Sequence, residues 1–339
     1  MLRRFNSGSA GSVIGITALA FVLAACSPVT RGDGGLYKYD RGPHEVQIVE
    51  KLTMTDEVQD REVPLRLLFP AEDGPFPLVV FSSGAFCFPQ MYDLVTSHWV
   101  SHGYVVIVPN HLDSPNNAAP PTAEQFPLMF PSRVRDISYV VDDIEEIQAR
   151  AGIGSKIDIT RLAAAGHSFG AIIALIKTGL ELQPELADTW ASTFDDRFDA
   201  AVVLSAPGPG MGPGMDSLTD GAYTKIGKPL IATGGTNDVG RVRPPGGMSP
   251  GEWRTLAFTL APPGDKYSVI TEGTDHYSGG LICNPDRGGD PDPESVAIVA
   301  SVTTAFLDAY IKDDDTALEF LQNADVEALT NGKATGKRK

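Results

Sequence analysis

Apolar and polar positions alternate along the chain in blocks that predict strands and helices in turn. Short runs rich in Val, Ile, Leu and Ala have the length of strands buried on both faces, and they span residues 77–82, 103–109, 162–165, 198–205, 229–233 and 267–271. Apolar residues recur at helical spacing in the intervening segments, namely 91–102, 132–150, 171–182 and 294–311. A repeated strand–helix order of this kind predicts an α/β fold with a mostly parallel central sheet flanked by helices.

The two ends of this body differ from its middle. Residues 46–52 and 61–69 are β-rich and flank a polar stretch, which predicts an antiparallel strand pair ahead of the parallel sheet. Neither an internal repeat nor a clear linker interrupts 46–312, so we expect one domain there. Residues 313–339 begin with three aspartates and end in basic residues. They predict one short helix over 317–329 and an otherwise mobile tail.

Composition and charge exclude several classes of function. The chain has 339 residues and a formal net charge of −16, and nucleic-acid binding needs basic patches, which are absent apart from the frayed end at 336–339. Three cysteines are too few for a disulfide scaffold or a multi-cysteine zinc site. The run Asp313-Asp314-Asp315 lacks the spacing of a calcium loop. We therefore expect no nucleic-acid partner and no metal.

The N-terminus predicts a lipid anchor. Arg3 and Arg4 precede a short apolar stretch that ends in Leu-Ala-Ala-Cys26, which resembles the lipobox of bacterial lipoproteins. The resemblance implies that residues 1–25 are a signal peptide and that Cys26 is acylated. Ser27 after the cysteine favours the outer membrane if the cell has one, and a plain secretory signal is the alternative. Residues 26–45 then predict a tether between a bacterial cell envelope and the domain.

The strongest chemical signal is Gly166-His-Ser168-Phe-Gly170. This G-x-S-x-G pattern follows a predicted strand and precedes an apolar helix. In that context the glycines let strand and helix approach each other closely, and the sharp turn lifts the serine hydroxyl clear of the sheet. We therefore predict that Ser168 is a nucleophile.

A serine nucleophile needs a base, and the base needs an acid. His276 is the one histidine after Ser168, and it lies just past the strand 267–271, so it is the predicted base. Asp238 follows the strand 229–233 and is the predicted acid, with Asp216 and Asp275 as rivals. His111, after the strand 103–109, is expected to line the cleft.

An oxyanion hole requires two backbone N–H donors. The residue after the nucleophile, Phe169, should supply one. The loop after the strand 77–82 should supply the other, and Gly84 there permits a turn that leaves the next N–H free. Ala85 is therefore the predicted second donor, with Phe86 as the alternative.

Three segments carry a resemblance to a known family. The segments 79–85, 100–111 and 166–170 resemble α/β-hydrolases, and most closely the branch of platelet-activating-factor acetylhydrolases and predicted dienelactone-hydrolase-like esterases. The resemblance covers about 60–312 and implies the α/β-hydrolase fold, carboxylic ester substrates and no cofactor. True dienelactone hydrolases use a cysteine nucleophile, so Ser168 indicates ordinary ester hydrolysis.

These observations predict a lipid-anchored serine esterase that acts through an acyl-enzyme on a small-molecule or lipid ester, as a monomer. The alternatives are a lipase or phospholipid deacylase, and a surface binding lipoprotein built on a hydrolase fold. Aromatic and apolar residues after the predicted strands could form a cleft for an acyl group or pack in the core: Phe86, Phe88, Phe126, Met129, Phe130 and Trp253. The Pro- and Gly-rich residues 207–215 predict either a flap or an inert loop.

Two cysteines remain once Cys26 is assigned to lipidation. Cys87 lies in the predicted oxyanion loop, and Cys283 lies seven residues after His276. Both loops should leave the carboxyl-terminal edge of the sheet, and export permits disulfides. We therefore predict a Cys87–Cys283 bond, with two separate buried thiols as the alternative.

Overall fold

A mixed β-sheet forms the centre of the protein in the computed structural model, which describes residues 35–181, 194–209, 218–240 and 244–339. Within these residues the sheet has nine strands in the order β1-β2-β4-β3-β5-β6-β7-β8-β9. They are β1 (Val46–Asp56), β2 (Arg61–Pro70), β3 (Phe76–Ser82), β4 (Val105–Pro109), β5 (Ile157–His167), β6 (Ala200–Leu204), β7 (Leu230–Asn237), β8 (Lys266–Asp275) and β9 (Ala334–Arg338).

The middle of the sheet is parallel and its edges are antiparallel. β4, β3, β5, β6, β7 and β8 pair in parallel, whereas β1 pairs with β2, β2 with β4 and β8 with β9 in antiparallel fashion. The parallel strands are buried on both faces, which their continuous apolar sequence requires. The predicted α/β fold and the predicted antiparallel pair are both confirmed.

Helices cover both faces of the sheet. They are α1 (Asp93–Ser101), α2 (Met129–Asp142), α3 (Ile144–Ala151), α4 (Phe169–Lys177), α5 (Pro250–Arg254), α6 (Leu256–Leu260), α7 (Pro293–Ile311), α8 (Asp315–Asn323) and α9 (Val326–Leu329). The cluster of apolar side chains on one face includes α2, α3 and α4, and the cluster on the other face includes α1 and α7. In the described part of the chain, α7 has the length and apolar composition of a membrane span, but most of it is buried in this core.

The predicted helix over 132–150 is wrong in its continuity. α2 ends at Asp142 and α3 begins at Ile144, because Asp143 between them leaves the helical region, at φ −106° and ψ 20°. Aspartate competes with the backbone for hydrogen bonds, which makes it a frequent residue at helix ends.

The C-terminal segment is not the mobile tail that the sequence predicts. Two short helices, α8 and α9, replace the single helix expected over 317–329, and β9 then pairs with β8 from Tyr267↔Arg338 to Thr271↔Ala334. Most of β9 is exposed, so it carries no apolar pattern that sequence reasoning could detect. Its basic residues suit an edge strand, since charge discourages further pairing.

The predicted tether is also too long. Residues 35–45 pack on the domain: Leu36 is buried, the Tyr37 hydroxyl donates to Asp308 on α7 at 2.9 Å, and the His44 N–H donates to the Ser101 carbonyl at 3.1 Å. The predicted signal peptide, Cys26 and the rest of the predicted tether lie outside the described residues.

Candidate active site

Ser168 lies on a strained turn between β5 and α4. Its φ of 55° and ψ of −119° fall in a region that costs a non-glycine residue about 1–3 kcal/mol. A Cβ on Gly166 would lie 2.3 Å from the Gly170 carbonyl oxygen, and one on Gly170 would lie 2.0 Å from the Ser82 carbonyl oxygen. Both glycines of the motif are therefore required by backbone contact, and the first turn of α4 packs against the end of β3.

The structure brings His276 to this serine. The Ser168 Oγ lies 2.9 Å from His276 Nε2, and His276 Nδ1 lies 2.7 Å from Asp238 Oδ1. A carboxylate only accepts hydrogen bonds, so Nδ1 carries the proton and Nε2 is free to accept the serine hydroxyl. This is the tautomer that a general base needs.

Asp238 contacts a second basic side chain in addition to His276, and the sequence did not reveal this contact. Arg254, at the end of α5, places Nε 2.8 Å from the same Oδ1 that His276 uses, and its guanidinium also donates to the carbonyls of Asp238 and Val239. Burial opposes ionisation of Asp238, but His276 and Arg254 hold its pKa well below the usual range. The carboxylate therefore stays charged although it is fully buried.

Asp275, one of the two rival acids, does not occupy this position. Asp275 turns away from the base, and its carboxylate accepts the N–H groups of Tyr277, Gly279 and Gly289. Asp216 lies outside the described residues.

Arg133 on α2 organises the oxyanion loop, which we define as residues 83–88. Its guanidinium is buried, pairs with both oxygens of Asp113, and donates to the carbonyls of Ser83 at 2.6 Å and Gly84 at 2.9 Å. The Ser83 and Gly84 carbonyl groups are thus both fixed by the Arg133 guanidinium. The Phe86 N–H, the alternative oxyanion donor, is engaged by Asp113 at 2.9 Å.

A chain of hydrogen bonds connects the oxyanion loop to the loop that carries His276, which we call the base loop and define as residues 276–283. The Gly84 N–H donates to the Tyr92 hydroxyl at 2.8 Å, Tyr92 Oη lies 3.1 Å from His167 Nδ1, and His167 Nε2 lies 3.1 Å from the His276 carbonyl oxygen. His167 therefore bridges two loops of the site.

A second Ser–His–Asp arrangement lies in the interior of the protein. Ser82 Oγ is 2.9 Å from His111 Nε2, and His111 Nδ1 is 2.8 Å from Asp136 Oδ2. None of the three side chains is exposed. They cannot meet a substrate, so the prediction that His111 lines the cleft is wrong; it ties the end of β3 to α2.

The aromatic residues proposed for the cleft divide between surface and core. Phe86 and Phe126 are exposed, and Phe130 packs on Phe169 with ring centroids 5.6 Å apart. Trp253 is fully buried against Arg254 and donates to the Pro209 carbonyl, so of the two alternatives it packs in the core. Most of the predicted flap, residues 210–215, lies outside the described residues.

Cys87 and Cys283 form a disulfide with Cα atoms 5.2 Å apart, which confirms the predicted pairing. A Cβ on Gly84 would lie 3.2 Å from each sulfur, so the bridge packs directly under the turn of the oxyanion loop. The bond joins this loop covalently to the base loop.

Replacing both cysteines, Cys87→Ser with Cys283→Ser, should lower the free energy of unfolding by up to about 5 kcal/mol, the chain-entropy value for a loop of this length. Any catalytic activity of the site should fall as well, because the bridge joins two of its loops. Urea unfolding of oxidised wild type and of the variant measures the first effect, and dithiothreitol should destabilise only the wild type. Free thiols at both positions in the native protein would contradict the bridge.

No group of three or more His, Cys, Asp or Glu side chains with metal-binding geometry occurs in the described ranges. The residues that sequence reasoning missed, Arg254, Arg133, Tyr92 and His167, all act through contacts between distant segments. No sequence motif indicates the role of any of these residues. His167 lies in the G-x-S-x-G motif, but at a position that the motif leaves unspecified.

One family profile, Chlorophyllase, matches residues 36–183. The match covers less than half of the chain and runs from the segment before β1 through α4, so it includes Ser168 but ends before Asp238 and His276. A search of curated proteins finds no match. The mixed sheet with helices on both faces is an α/β fold, and over residues 36–183 the chain is similar to Chlorophyllase, a family of the α/β-hydrolase type.

Proposed function

We propose that this protein is a serine carboxylic-ester hydrolase. The observation that carries the proposal is the continuous set of hydrogen bonds from the Ser168 hydroxyl through His276 to Asp238, on a strained elbow of an α/β-hydrolase fold. The similarity to the Chlorophyllase family over residues 36–183 supports ester hydrolysis as the reaction class.

Each residue has a role in this reaction. Ser168 attacks the ester carbonyl while His276 Nε2 takes the hydroxyl proton, and Asp238 stabilises the imidazolium that forms. His276 returns the proton to the leaving alcohol, which yields an acyl-enzyme. Water, activated by the same histidine, then cleaves the acyl-enzyme.

Ala85 and Phe169 are the proposed oxyanion donors. The C=O and N–H of a trans peptide point in opposite directions, so holding the Gly84 carbonyl on Arg133 aims the Ala85 N–H away from that cation. Phe169 begins α4, and the first amides of a helix have no partner within it. Among the described residues the Ala85 amide has no hydrogen-bond acceptor.

Hydrolysis of p-nitrophenyl esters over a series of acyl lengths tests the proposal. A fluorophosphonate should label Ser168, and mass spectrometry of the labelled peptide should exclude Ser82, the serine of the buried second arrangement. Absence of both hydrolysis and labelling would reject the esterase and favour the surface binding lipoprotein.

A lipid ester is the second candidate substrate. Phe86, Phe126 and Leu128 are exposed large apolar side chains, in loops that follow β3 and β4 at the carboxyl-terminal edge where ligands bind in such sheets. They favour an apolar acyl or alcohol group, as in a lipase, a phospholipid deacylase or the acetylhydrolase-like branch. A rate that rises with acyl length supports this candidate, and a preference for acetyl esters supports the acetylhydrolase-like branch.

Lipidation of Cys26 is proposed to hold the enzyme at the cell envelope. Cys26→Ser should release the protein from the membrane fraction or stall its processing, because acyl chains would supply the membrane affinity. Detergent partitioning of wild type and variant measures this, with Cys87→Ser/Cys283→Ser as the control for replacement of cysteines elsewhere in the chain. Unchanged partitioning of Cys26→Ser would contradict the anchor.

A further inference from the structure

We propose that Tyr92 and His167 are positioning residues that hold the oxyanion loop and the base loop in a fixed relation for catalysis. This inference rests on the proposed esterase function and deepens it. Neither residue touches the reacting atoms. They act through the backbone at both ends of the hydrogen-bond chain, the Gly84 amide and the His276 carbonyl.

The direction of every hydrogen bond in this series follows from the two groups at its ends, the Gly84 amide and the His276 carbonyl. The Gly84 N–H can only donate, so the Tyr92 oxygen accepts there and its proton points to His167 Nδ1. The His276 carbonyl can only accept, so His167 Nε2 carries the ring proton. The structure thus assigns His167 one tautomer, with Nδ1 as acceptor and Nε2 as donor.

Burial keeps both side chains in these protonation states. Tyr92 and His167 are fully buried. Burial raises the pKa of the Tyr92 hydroxyl, and burial together with the neighbouring His276 lowers the pKa of His167 well below its ordinary value. A neutral imidazole and a protonated phenol are the forms that the chain requires.

The two ends of this hydrogen-bond chain hold the groups whose positions matter most for the reaction. Ala85, the proposed oxyanion donor, directly follows Gly84. His276 is held both by its carbonyl and by its ring, whose centroid lies 4.7 Å from that of His167. A displacement of about 1 Å between catalytic groups can cost about 10²-fold in rate. The disulfide also joins the two loops, but at Cys87 and Cys283, which lie further along each loop than Gly84 and His276.

Tyr92→Phe tests the chain with a loss of one oxygen atom. We expect kcat for a p-nitrophenyl ester to fall about 10- to 100-fold while KM changes little, because the chain orients catalytic groups rather than binding substrate. Tyr104→Phe is the matched control: Tyr104 is equally buried and donates to Asp308 on α7 at 2.6 Å, outside the site. It should lower the thermal midpoint and leave kcat unchanged.

His167 variants separate hydrogen bonding from packing. His167→Gln keeps an N–H near the place of Nε2 and should retain more kcat than His167→Leu, which keeps bulk alone. Tyr92→Phe combined with His167→Leu should cost no more than the worse single variant, since both interrupt one chain.

Ring ¹⁵N shifts of the wild type supply a measurement that needs no substrate. His167 should show a protonated Nε2 and a bare Nδ1. Wild type that hydrolyses no ester would reject the esterase itself. If the wild type hydrolyses esters, any one of three results overturns the positioning role alone. These results are full kcat in Tyr92→Phe, equal loss of activity in His167→Gln and His167→Leu, and a proton on Nδ1 of His167.

Discussion

Ser168→Ala should reduce ester hydrolysis by at least about 10⁴-fold, the scale on which a serine hydrolase loses rate when its nucleophile is removed. The hydroxyl is the atom that His276 Nε2 contacts, and the methyl group of alanine can neither attack a carbonyl nor give up a proton. The fold should persist, because the main-chain hydrogen bond from the Ser168 N–H to the Leu204 carbonyl and the glycine contacts of the elbow are unchanged. Steady-state rates with p-nitrophenyl esters measure the loss, and thermal unfolding verifies the fold.

Ser101→Ala is a matched control for this variant. Ser101 is a buried serine on α1 whose hydroxyl accepts from the Gly42 N–H at 2.9 Å, away from the site. It should cost stability without changing kcat. If Ser168→Ala keeps more than a few per cent of the wild-type rate, Ser168 is not the nucleophile.

Asp238→Asn should lower kcat on the order of 10⁴-fold, as the equivalent change does in serine proteases. An asparagine amide can donate to Nδ1 and so favour the tautomer in which Nε2 cannot accept the serine proton. The site adds a second penalty here. Arg254 would lose the charge that it pairs with at 2.8 Å, so an uncompensated guanidinium would oppose formation of the imidazolium.

The rival acids serve as comparisons for Asp238→Asn. Asp275→Asn should be far less harmful, because Asp275 accepts backbone N–H groups and makes no contact with the His276 ring nitrogens in the described structure. Asp216→Asn should likewise retain most activity. A larger loss in either of these than in Asp238→Asn would show that the acid is misassigned.

Sequence patterns predicted the fold well where burial is two-sided. The strands β3, β4 and β6 are continuous apolar runs, and a parallel strand covered by helices on both faces can have no other composition. The patterns failed at the ends of the domain. β9 is an exposed edge strand held by backbone pairing with β8, and residues 35–45 attach through single contacts such as that of Tyr37 with Asp308.

The candidate site divides in the same way. Ser168 could be predicted because the strained elbow imposes glycines two positions before and after the serine, which is a local constraint visible in sequence. His276 and Asp238 could be predicted because chain order and strand ends restrict where a base and an acid can stand in a parallel sheet.

The contacts that set the electrostatics and the alignment of the site are visible only in the tertiary structure. Arg254 reaches Asp238 across 16 residues of chain, Arg133 reaches Gly84 across 49, and His167 reaches the His276 carbonyl across 109. The sequence by itself determined the parallel part of the sheet, the elbow and the candidate triad, because each depends on local backbone geometry, on burial or on chain order. Only the tertiary structure decided which buried charges and hydrogen bonds hold those side chains, since such partners are selected by proximity after folding and follow no spacing rule along the chain.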